Sequence, residues 1–173
     1  IPGEDAVGVH SAVQLLRDIG EGRVPDFKGK RVCVVGGGNV SMDATRTAIR
    51  LGASAVTCVY RRRVTDMTAL AEEIEEAQSE GCQILSLQAP DHIETDEMGR
   101  VTALWTRPQV IGSYGKDGRP RPYDADQPLL RTPCDVVIVA IGQSIDAKPF
   151  EQIAPVVRGK IHAESDAFVP NTP

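Results

Sequence analysis

The sequence of 173 residues lacks the features of a membrane protein or a nucleic-acid-binding protein. No apolar run approaches the roughly 20 residues that a membrane-spanning helix needs. Positive charge is not in excess, since 19 lysines and arginines stand against 24 aspartates and glutamates and leave a net charge of −5. An acidic chain of this kind disfavours nucleic acid or an anionic membrane as its partner.

Neither a disulphide framework nor a metal site is indicated by the cysteines and histidines. The four cysteines contain no C-x-x-C pair, and three of them lie in apolar, strand-like runs. We therefore expect buried, reduced thiols in a cytoplasmic protein, and no metal ligands. The residues concerned are Cys33, Cys58, Cys82 and Cys134, with His10, His92 and His162 scattered among them.

The apolar pattern predicts a repeating strand–helix unit in the first half of the chain. With 41% hydrophobic and 25% charged residues, the composition is that of a globular domain. Residues 31–38 indicate a buried strand that ends in glycines, residues 39–51 a helix and residues 55–60 a second strand. Further helices are predicted over residues 9–20 and 69–78, and further parallel strands over residues 82–88 and 134–143.

Between the last two of these strands the pattern changes. Short alternating runs at residues 91–94, 101–107 and 110–113 are separated by turn signals and predict antiparallel strands, and residues 115–127 are rich in Gly, Pro, Arg and Asp and indicate a surface loop. The predicted fold class is α/β, with a Rossmann-type parallel sheet flanked by helices and a small antiparallel β-meander excursion.

The turn after the first buried strand has the spacing of a dinucleotide-binding motif. Its residues fit G-x-G-x-x-[G/A/S], in which the first glycine permits the tight turn, the second admits a pyrophosphate and the third small residue packs helix on strand. The first helical N–H groups then favour an anion. The motif comprises Gly36, Gly37, Gly38, Asn39, Val40 and Ser41.

The competing P-loop motif is excluded, because no lysine follows these glycines. Asp43 has two interpretations, which stay open at this point. Its carboxylate either stabilises the first helical turn through the helix dipole or orients the cofactor loop.

The expected acidic residue is missing after the second strand. In NAD-selective units an Asp or Glu about 20 residues past the glycines binds the ribose 2′-hydroxyl, whereas Arg61 and Arg62 stand here. Arginine offers bidentate donors to a 2′-phosphate and so predicts NADPH over NADH. Tyr60 could stack on the adenine. The alternative is a solvated basic patch or an ion pair with the glutamates of the next helix, and this alternative is favoured for Arg63.

The sequence VCVVGGGNVSMDATRTAIRLGASAVTCVYRRR resembles the small (beta) subunit of NADPH-dependent glutamate synthase and its relatives, including the reductase part of dihydropyrimidine dehydrogenase. DVVIVAIGQ continues the resemblance, which covers nearly the whole chain. One departure is Met67-Thr68-Ala69, where many relatives have Met-Pro-Ala. Loss of this proline is expected to loosen the loop beside the 2′-phosphate site.

This resemblance implies an NADPH-binding domain inserted into an FAD domain. Residues 1–29 would then be the connector and helix after an FAD domain outside this chain, residues 30–145 the NADPH-binding domain, and residues 146–173 the return toward FAD. The implied reaction is hydride transfer from NADPH to FAD, with electrons passing to iron–sulphur clusters and to an electron-accepting subunit or domain. The isolated chain is not expected to catalyse NADPH oxidation by itself.

The resemblance also assigns the site residues to parts of the nucleotide. It assigns the glycine turn to the pyrophosphate and Arg61 and Arg62 to the 2′-phosphate, and it implies no catalytic acid, base or nucleophile. It places the turn after the last strand beside the nicotinamide, through Ala140, Ile141, Gly142 and Gln143.

Two other functions are consistent with the residues. One is a non-catalytic nucleotide-binding or partner-docking module, and the other is a self-contained NADP dehydrogenase. The latter needs a proton-relay pair that none of the tyrosines supplies. The final electron acceptor and the oligomeric state do not follow from the sequence.

Overall fold

The computed structural model describes residues 1–115 and 118–142, together with Pro149 and two short strands near the C-terminus. It divides into a unit of residues Ile1–Ile141 and a unit of residues Gly142–Pro173. In the second unit the described strands β10 (Val156–Val157) and β11 (Lys160–Ile161) pair antiparallel. None of the helices in the described part of the chain is long and apolar enough to cross a bilayer.

A five-stranded parallel sheet forms the centre of the first unit. Its strands are β1 Val9–Ser11, β2 Arg31–Val35, β3 Ala55–Tyr60, β4 Gln83–Ser86 and β9 Val136–Val139. They lie in the order β1-β9-β2-β3-β4. The three central strands carry mostly apolar, β-branched side chains, which suit a sheet covered on both faces.

One face of this sheet is covered by helices. Alternate residues of β2, Val32 and Val34, pack with Ala44 and Ala48 of the second helix and with Leu15 of the first. The third helix joins the same face through a cluster that includes Met42, Cys58 and Ile74. The helices are α1 Ala12–Gly20, α2 Asn39–Arg50 and α3 Ala71–Ser79, with a short 3-10 helix at Val64–Asp66.

The other face is covered by an antiparallel sheet. The intervening residues of β2, Cys33 and Val35, pack against Ile93, Val101 and Leu104 of this second sheet. Its strands are β5 Gln88–Thr95, β6 Val101–Tyr114, β7 Pro120–Asp124 and β8 Leu130–Pro133. They run β5-β6-β7, with β8 also paired to β6. The α/β class is confirmed, and the meander proves to be one of three layers.

Several predicted element boundaries are wrong. The predicted helix over residues 9–20 begins only at Ala12, because Val9–Ser11 pairs parallel with β9. The predicted parallel strand over 82–88 ends at Ser86. Leu87, at φ 57°, then turns the chain into the second sheet at Gln88. These differences arise from pairing with strands distant in sequence, which local periodicity does not contain.

The meander itself is longer than its sequence pattern indicates. The runs at 101–107 and 110–113 form one strand through Pro108, because β5 and β8 pair with its first half and β7 with its second. The predicted loop over 115–127 contains β7, and β8 was not predicted.

Candidate nucleotide-binding site

The glycine turn lies at the carboxyl end of β2, where the end of β9 meets it. Gly36 has φ +149°, and a Cβ there would lie 2.8 Å from the carbonyl oxygen of Ala140 and would overlap Ser41 Oγ. The N–H of Ala140 in turn donates to the Val35 carbonyl at 2.8 Å. Glycine is therefore required at position 36, and the turn is fixed to the last strand of the sheet.

This position is the switch point of the sheet. From β2 the chain continues outward through β3 and β4 on one side, whereas β9 and β1 lie on the other side of β2. In open parallel sheets, ligands bind in the crevice at the carboxyl ends of the two strands where the order reverses. Here Gly36 and Ala140 follow those two strands.

Gly37 lies directly against the ring of Tyr60, the last residue of β3. A Cβ at Gly37 would lie 2.5 Å from Tyr60 Cε2. The Tyr60 side chain is buried, with 7% of the residue exposed, and its hydroxyl donates to the Asp66 carbonyl at 2.8 Å. The stacking of Tyr60 on adenine remains a prediction, but these contacts favour a role as the support beneath the turn.

Gly38 has free space where a Cβ would stand, whereas Gly36 and Gly37 have close neighbours there. A Cβ at this position would meet only Thr68 Oγ1, at the ordinary distance of 3.5 Å. Gly38 is the N-cap of α2, and no side chain caps the helix there. The N–H groups of Asn39 and Val40 consequently have no partner in the described part of the chain, and free N–H groups at a helix start favour an anion.

An orphaned hydroxyl accompanies this uncapped helix start. Ser41 is fully buried, and its Oγ has no hydrogen-bond partner among the described residues. Buried hydroxyls of this kind are normally satisfied by a protein group or an ordered water. The open side of Gly38, the free N–H groups and this hydroxyl fit a pyrophosphate with its attendant water.

The loop before α3 is tied to the same turn. Asn39 Oδ1 accepts the N–H of Leu70 at 2.9 Å. Thr68 donates both its N–H, at 2.9 Å, and its Oγ1, at 3.3 Å, to the Gly37 carbonyl. Proline at position 68 could not donate that N–H, so this bond depends on a residue other than proline. The looser loop expected from the loss of proline stays a prediction.

The three arginines after β3 have three different environments. Arg61 is exposed and has no hydrogen-bond or ion-pair partner within the described ranges. Arg62 is 8% exposed, and its Nε donates to the Pro120 carbonyl at 2.8 Å. Arg63 pairs with Asp66 at 2.8 Å, and this pairing lowers the pKa of the Asp66 carboxyl. Of the three, Arg61 is therefore the one whose guanidinium is available to a ligand.

Glu73 and Glu76 of α3 pair with Arg46 of α2. No described contact joins them to the segment Arg61–Asp66 after β3, which is called the arginine loop below. Arg46 Nη1 lies 3.0 Å from Glu73 and 2.6 Å from Glu76, and its Nε lies 2.9 Å from Glu80. These ion pairs form a network that joins α2 to α3 and to Glu80 directly after it, so the predicted pairing of these glutamates with the arginines after β3 is not seen among the described contacts. Asp43, one helical turn from Arg46, is exposed, and no partner is found for it in the described part.

The turn after β9 is described only in part. Ile141 is 48% exposed and lines a surface pocket with Glu4, Val9, His10, Ser11 and Val139. Burial and the nearby Lys30 lower the pKa of His10. Gly142, in the second unit, has φ +79°, which suits glycine. Gln143 lies outside the described residues.

A family comparison assigns the chain to a known class. The model of the pyridine nucleotide-disulphide oxidoreductases matches residues 1–168. The chain belongs to this family.

Curated relatives support the same assignment. The NADP(+)-dependent formate dehydrogenase subunit beta of Moorella thermoacetica is 38% identical over 84% of this chain and 21% of its own length. The glutamate synthase [NADPH] small chain of Halomonas elongata is 36% identical over 88% of this chain and 34% of its own length. The curated relatives that it matches are much longer, and the chain spans between 20% and 34% of their length.

Solved structures show the same fold. FprA of Mycobacterium tuberculosis, solved in complex with NADPH, superposes with a TM-score of 0.70 at 18% identity, over 95% of this chain and 52% of FprA. Thioredoxin reductase of T. acidophilum superposes with a TM-score of 0.64 at 18% identity, over 95% of this chain and 47% of the reductase chain.

Disulphide chemistry is part of the family's name, but the cysteines of this member are all buried free thiols. Burial raises the pKa of Cys58 to about 12 and that of Cys82 to about 11, which keeps both thiols protonated. Among the described residues, no group of three potential ligands could hold a metal ion.

Sequence reasoning missed the contribution of the antiparallel sheet to the arginine loop. Arg119 donates to Tyr60 Oη at 3.0 Å and to the Asp66 carbonyl at 3.2 Å. It lies in a segment whose Gly, Pro and Arg content indicated a surface loop. No sequence signal links residues so far apart along the chain.

Proposed function

We propose that this chain binds NADPH and presents it to a flavin. The observation that carries the proposal is the uncapped start of α2 at the switch point of the sheet, with Arg61 exposed after the adjacent strand. The two features match the pyrophosphate and the 2′-phosphate of one ligand.

Each part of the proposed site has a separate task. Gly38 allows the pyrophosphate to approach, and the N–H groups of Asn39 and Val40 donate to its oxygens. Arg61 supplies a cation for the 2′-phosphate, which an NAD-selective carboxylate would repel. Arg62 remains a predicted ligand of that phosphate, although its burial and its bond to Pro120 favour a positioning role.

The redox chemistry belongs to the cofactors. As the resemblance implies, bound NADPH would supply a hydride to FAD, and the reduced flavin would pass its electrons on to iron–sulphur clusters. In this scheme the residues of the chain bind and orient the nucleotide, with Ala140 and Ile141, directly after β9, beside the nicotinamide. The length of the relatives supports further domains that carry the flavin and deliver electrons to an acceptor. The buried free thiols are consistent with a reducing, cytoplasmic location.

Binding is tested by titrating the purified protein with NADPH and with NADH at one fixed salt concentration. We expect NADPH to bind more tightly. Arg61→Glu is expected to weaken NADPH by about 10- to 100-fold or more, the equivalent of one lost charge-assisted bond plus repulsion, and to leave NADH nearly unchanged. Lys28→Glu is the matched charge reversal, because Lys28 is exposed beside Gly52, before the amino ends of β2 and β3, whereas the glycine turn and Arg61 follow their carboxyl ends. Equal affinities in wild type and Arg61→Glu would refute the assignment.

Hydride delivery needs a second experiment. The chain joined to its flavin-bearing neighbour should lose oxidised-flavin absorbance when NADPH is added, whereas the chain alone should not oxidise NADPH. Tight NADPH binding without flavin reduction would favour the alternative, a nucleotide-binding module with no redox role.

A further inference from the structure

The β6–β7 hairpin reaches across to the loop that carries the arginines. Arg119, just before β7, donates Nη2 to Tyr60 Oη at 3.0 Å and to the Asp66 carbonyl at 3.2 Å. Pro120, the first residue of β7, accepts Arg62 Nε at 2.8 Å. Asp66 first, and then the hydroxyl of Tyr114 at the end of β6, raise the pKa of Arg63.

These contacts hold both neighbours of Arg61. Tyr60 is anchored by its hydroxyl to Asp66 and Arg119, and Arg62 is anchored by its side chain to Pro120 and by its carbonyl to the N–H of Leu87 at 3.0 Å. Arg61 lies between them with its side chain in solvent. Its backbone position is therefore set in part by Arg119 and Pro120, which are more than 50 positions away along the chain.

The glycine turn depends less on this hairpin. Gly36 is held by Val59 and by the end of β9, and the Gly37 carbonyl is held by Thr68 and Ala69. Tyr60, which supports Gly37, keeps its hydroxyl bond to the Asp66 carbonyl when the hairpin contacts are lost. The loss is thus expected to move the arginine loop more than the pyrophosphate site. A ligand with a 2′-phosphate will be affected more than one without it, because a pre-positioned cation binds at a lower entropic cost.

We infer that the β6–β7 hairpin determines nucleotide selectivity, with Arg119 as a positioning residue that holds Arg61 for the 2′-phosphate. The inference rests on the proposed binding of NADPH. It assigns a function to the antiparallel sheet, whose hydrogen bonds to the arginine loop are otherwise unexplained.

The first test is Arg119→Ala, with affinities for NADPH and NADH measured by titration calorimetry. NADPH is expected to weaken by about tenfold, the effect of losing one charged hydrogen-bonding group, and NADH by less than about twofold. Arg121→Ala is the matched control, since Arg121 is exposed on β7 and makes no ion pair within the described ranges. Arg119→Lys should restore part of the NADPH affinity, because lysine can still donate to one of the two oxygens.

A double-mutant cycle with Arg61→Gln separates positioning from direct contact. If Arg119 acts through Arg61, Arg119→Ala should have little further effect on NADPH in the Arg61→Gln protein. Fully additive losses would mean that Arg119 acts independently and would overturn the inference. An equal loss of NADPH and NADH affinity, or no loss of either, would overturn it as well.

Circular dichroism and thermal melting establish that each variant is folded. If Arg119→Ala does not fold, Arg119→Lys and Arg119→Gln take its place in the same cycle, and the ratio of NADPH to NADH affinity decides. A wild type without preference for NADPH refutes the proposed function itself. A wild type with the preference, unaltered by any change at Arg119, refutes only the role of the hairpin.

Discussion

Replacing Gly38 by alanine should leave the fold intact and still damage nucleotide binding. The new Cβ would meet only Thr68 Oγ1, at 3.5 Å, which is an ordinary contact. The backbone at Gly38 has φ −105° and ψ 176°, an extended conformation that alanine adopts without strain. The free energy of unfolding is therefore expected to change by less than about 0.5 kcal/mol.

Binding is a different matter, because the methyl group would project from the N-cap of α2 into the proposed pyrophosphate site. If it costs one charge-assisted hydrogen bond to the helix N–H groups, the loss is about 1.5–3 kcal/mol, or roughly 10- to 100-fold in Kd. NADPH and NADH should weaken together, since both carry the pyrophosphate.

Gly37→Ala is the matched comparison. Its Cβ would lie 2.5 Å from Tyr60 Cε2, and the Tyr60 hydroxyl is held by Asp66 and Arg119. The ring cannot move away freely, so overpacking should lower the free energy of unfolding by about 1–3 kcal/mol.

Urea unfolding followed by circular dichroism measures the stabilities, and calorimetric titration measures the affinities. The reasoning fails if Gly38→Ala binds NADPH like the wild type, because the open side of the turn would then not be where the pyrophosphate lies. It fails equally if Gly37→Ala is as stable as Gly38→Ala.

Two further predictions concern Glu94 in the antiparallel sheet and the start of α2. Hydrogen bonds from Arg131, Trp105 and Thr102 lower the pKa of Glu94 from 4.5 to about 2, so its contribution to stability is present above pH 4.5 and is lost as the pH falls toward about 2. Wild type should resist urea better than Glu94→Gln at neutral pH, and a pH-independent difference between their urea midpoints would contradict this. Asn39→Asp keeps the acceptor for the Leu70 N–H but adds a negative charge at the pyrophosphate site. It should fold normally and bind both nucleotides about tenfold or more weakly, and unchanged titrations would argue against the site.

The first half of the fold was accessible to sequence reasoning because its signals are local. The bounds of β3 agree with the predicted strand, and α2 begins at the predicted residue, directly after the glycines. The spacing of apolar residues and the positions of glycines are patterns of a few residues. They are enough to predict a strand, a tight turn and the start of a helix.

The second half was predicted less well for the opposite reason. β8 and the continuity of β6 through Pro108 depend on partners far along the chain, and so does the pairing of Val9–Ser11 with β9. Strand propensity depends on such neighbours and is weak in isolation.

The sequence by itself determined the glycine turn, the missing carboxylate and the arginines in its place, since each is a matter of residue type and spacing. The tertiary structure alone separated those arginines, leaving Arg61 exposed, burying Arg62 against Pro120 and pairing Arg63 with Asp66. The physical reason is that burial and hydrogen bonding depend on which distant segment packs against the loop. Here that segment is the β6–β7 hairpin, brought back to β3 by the antiparallel sheet.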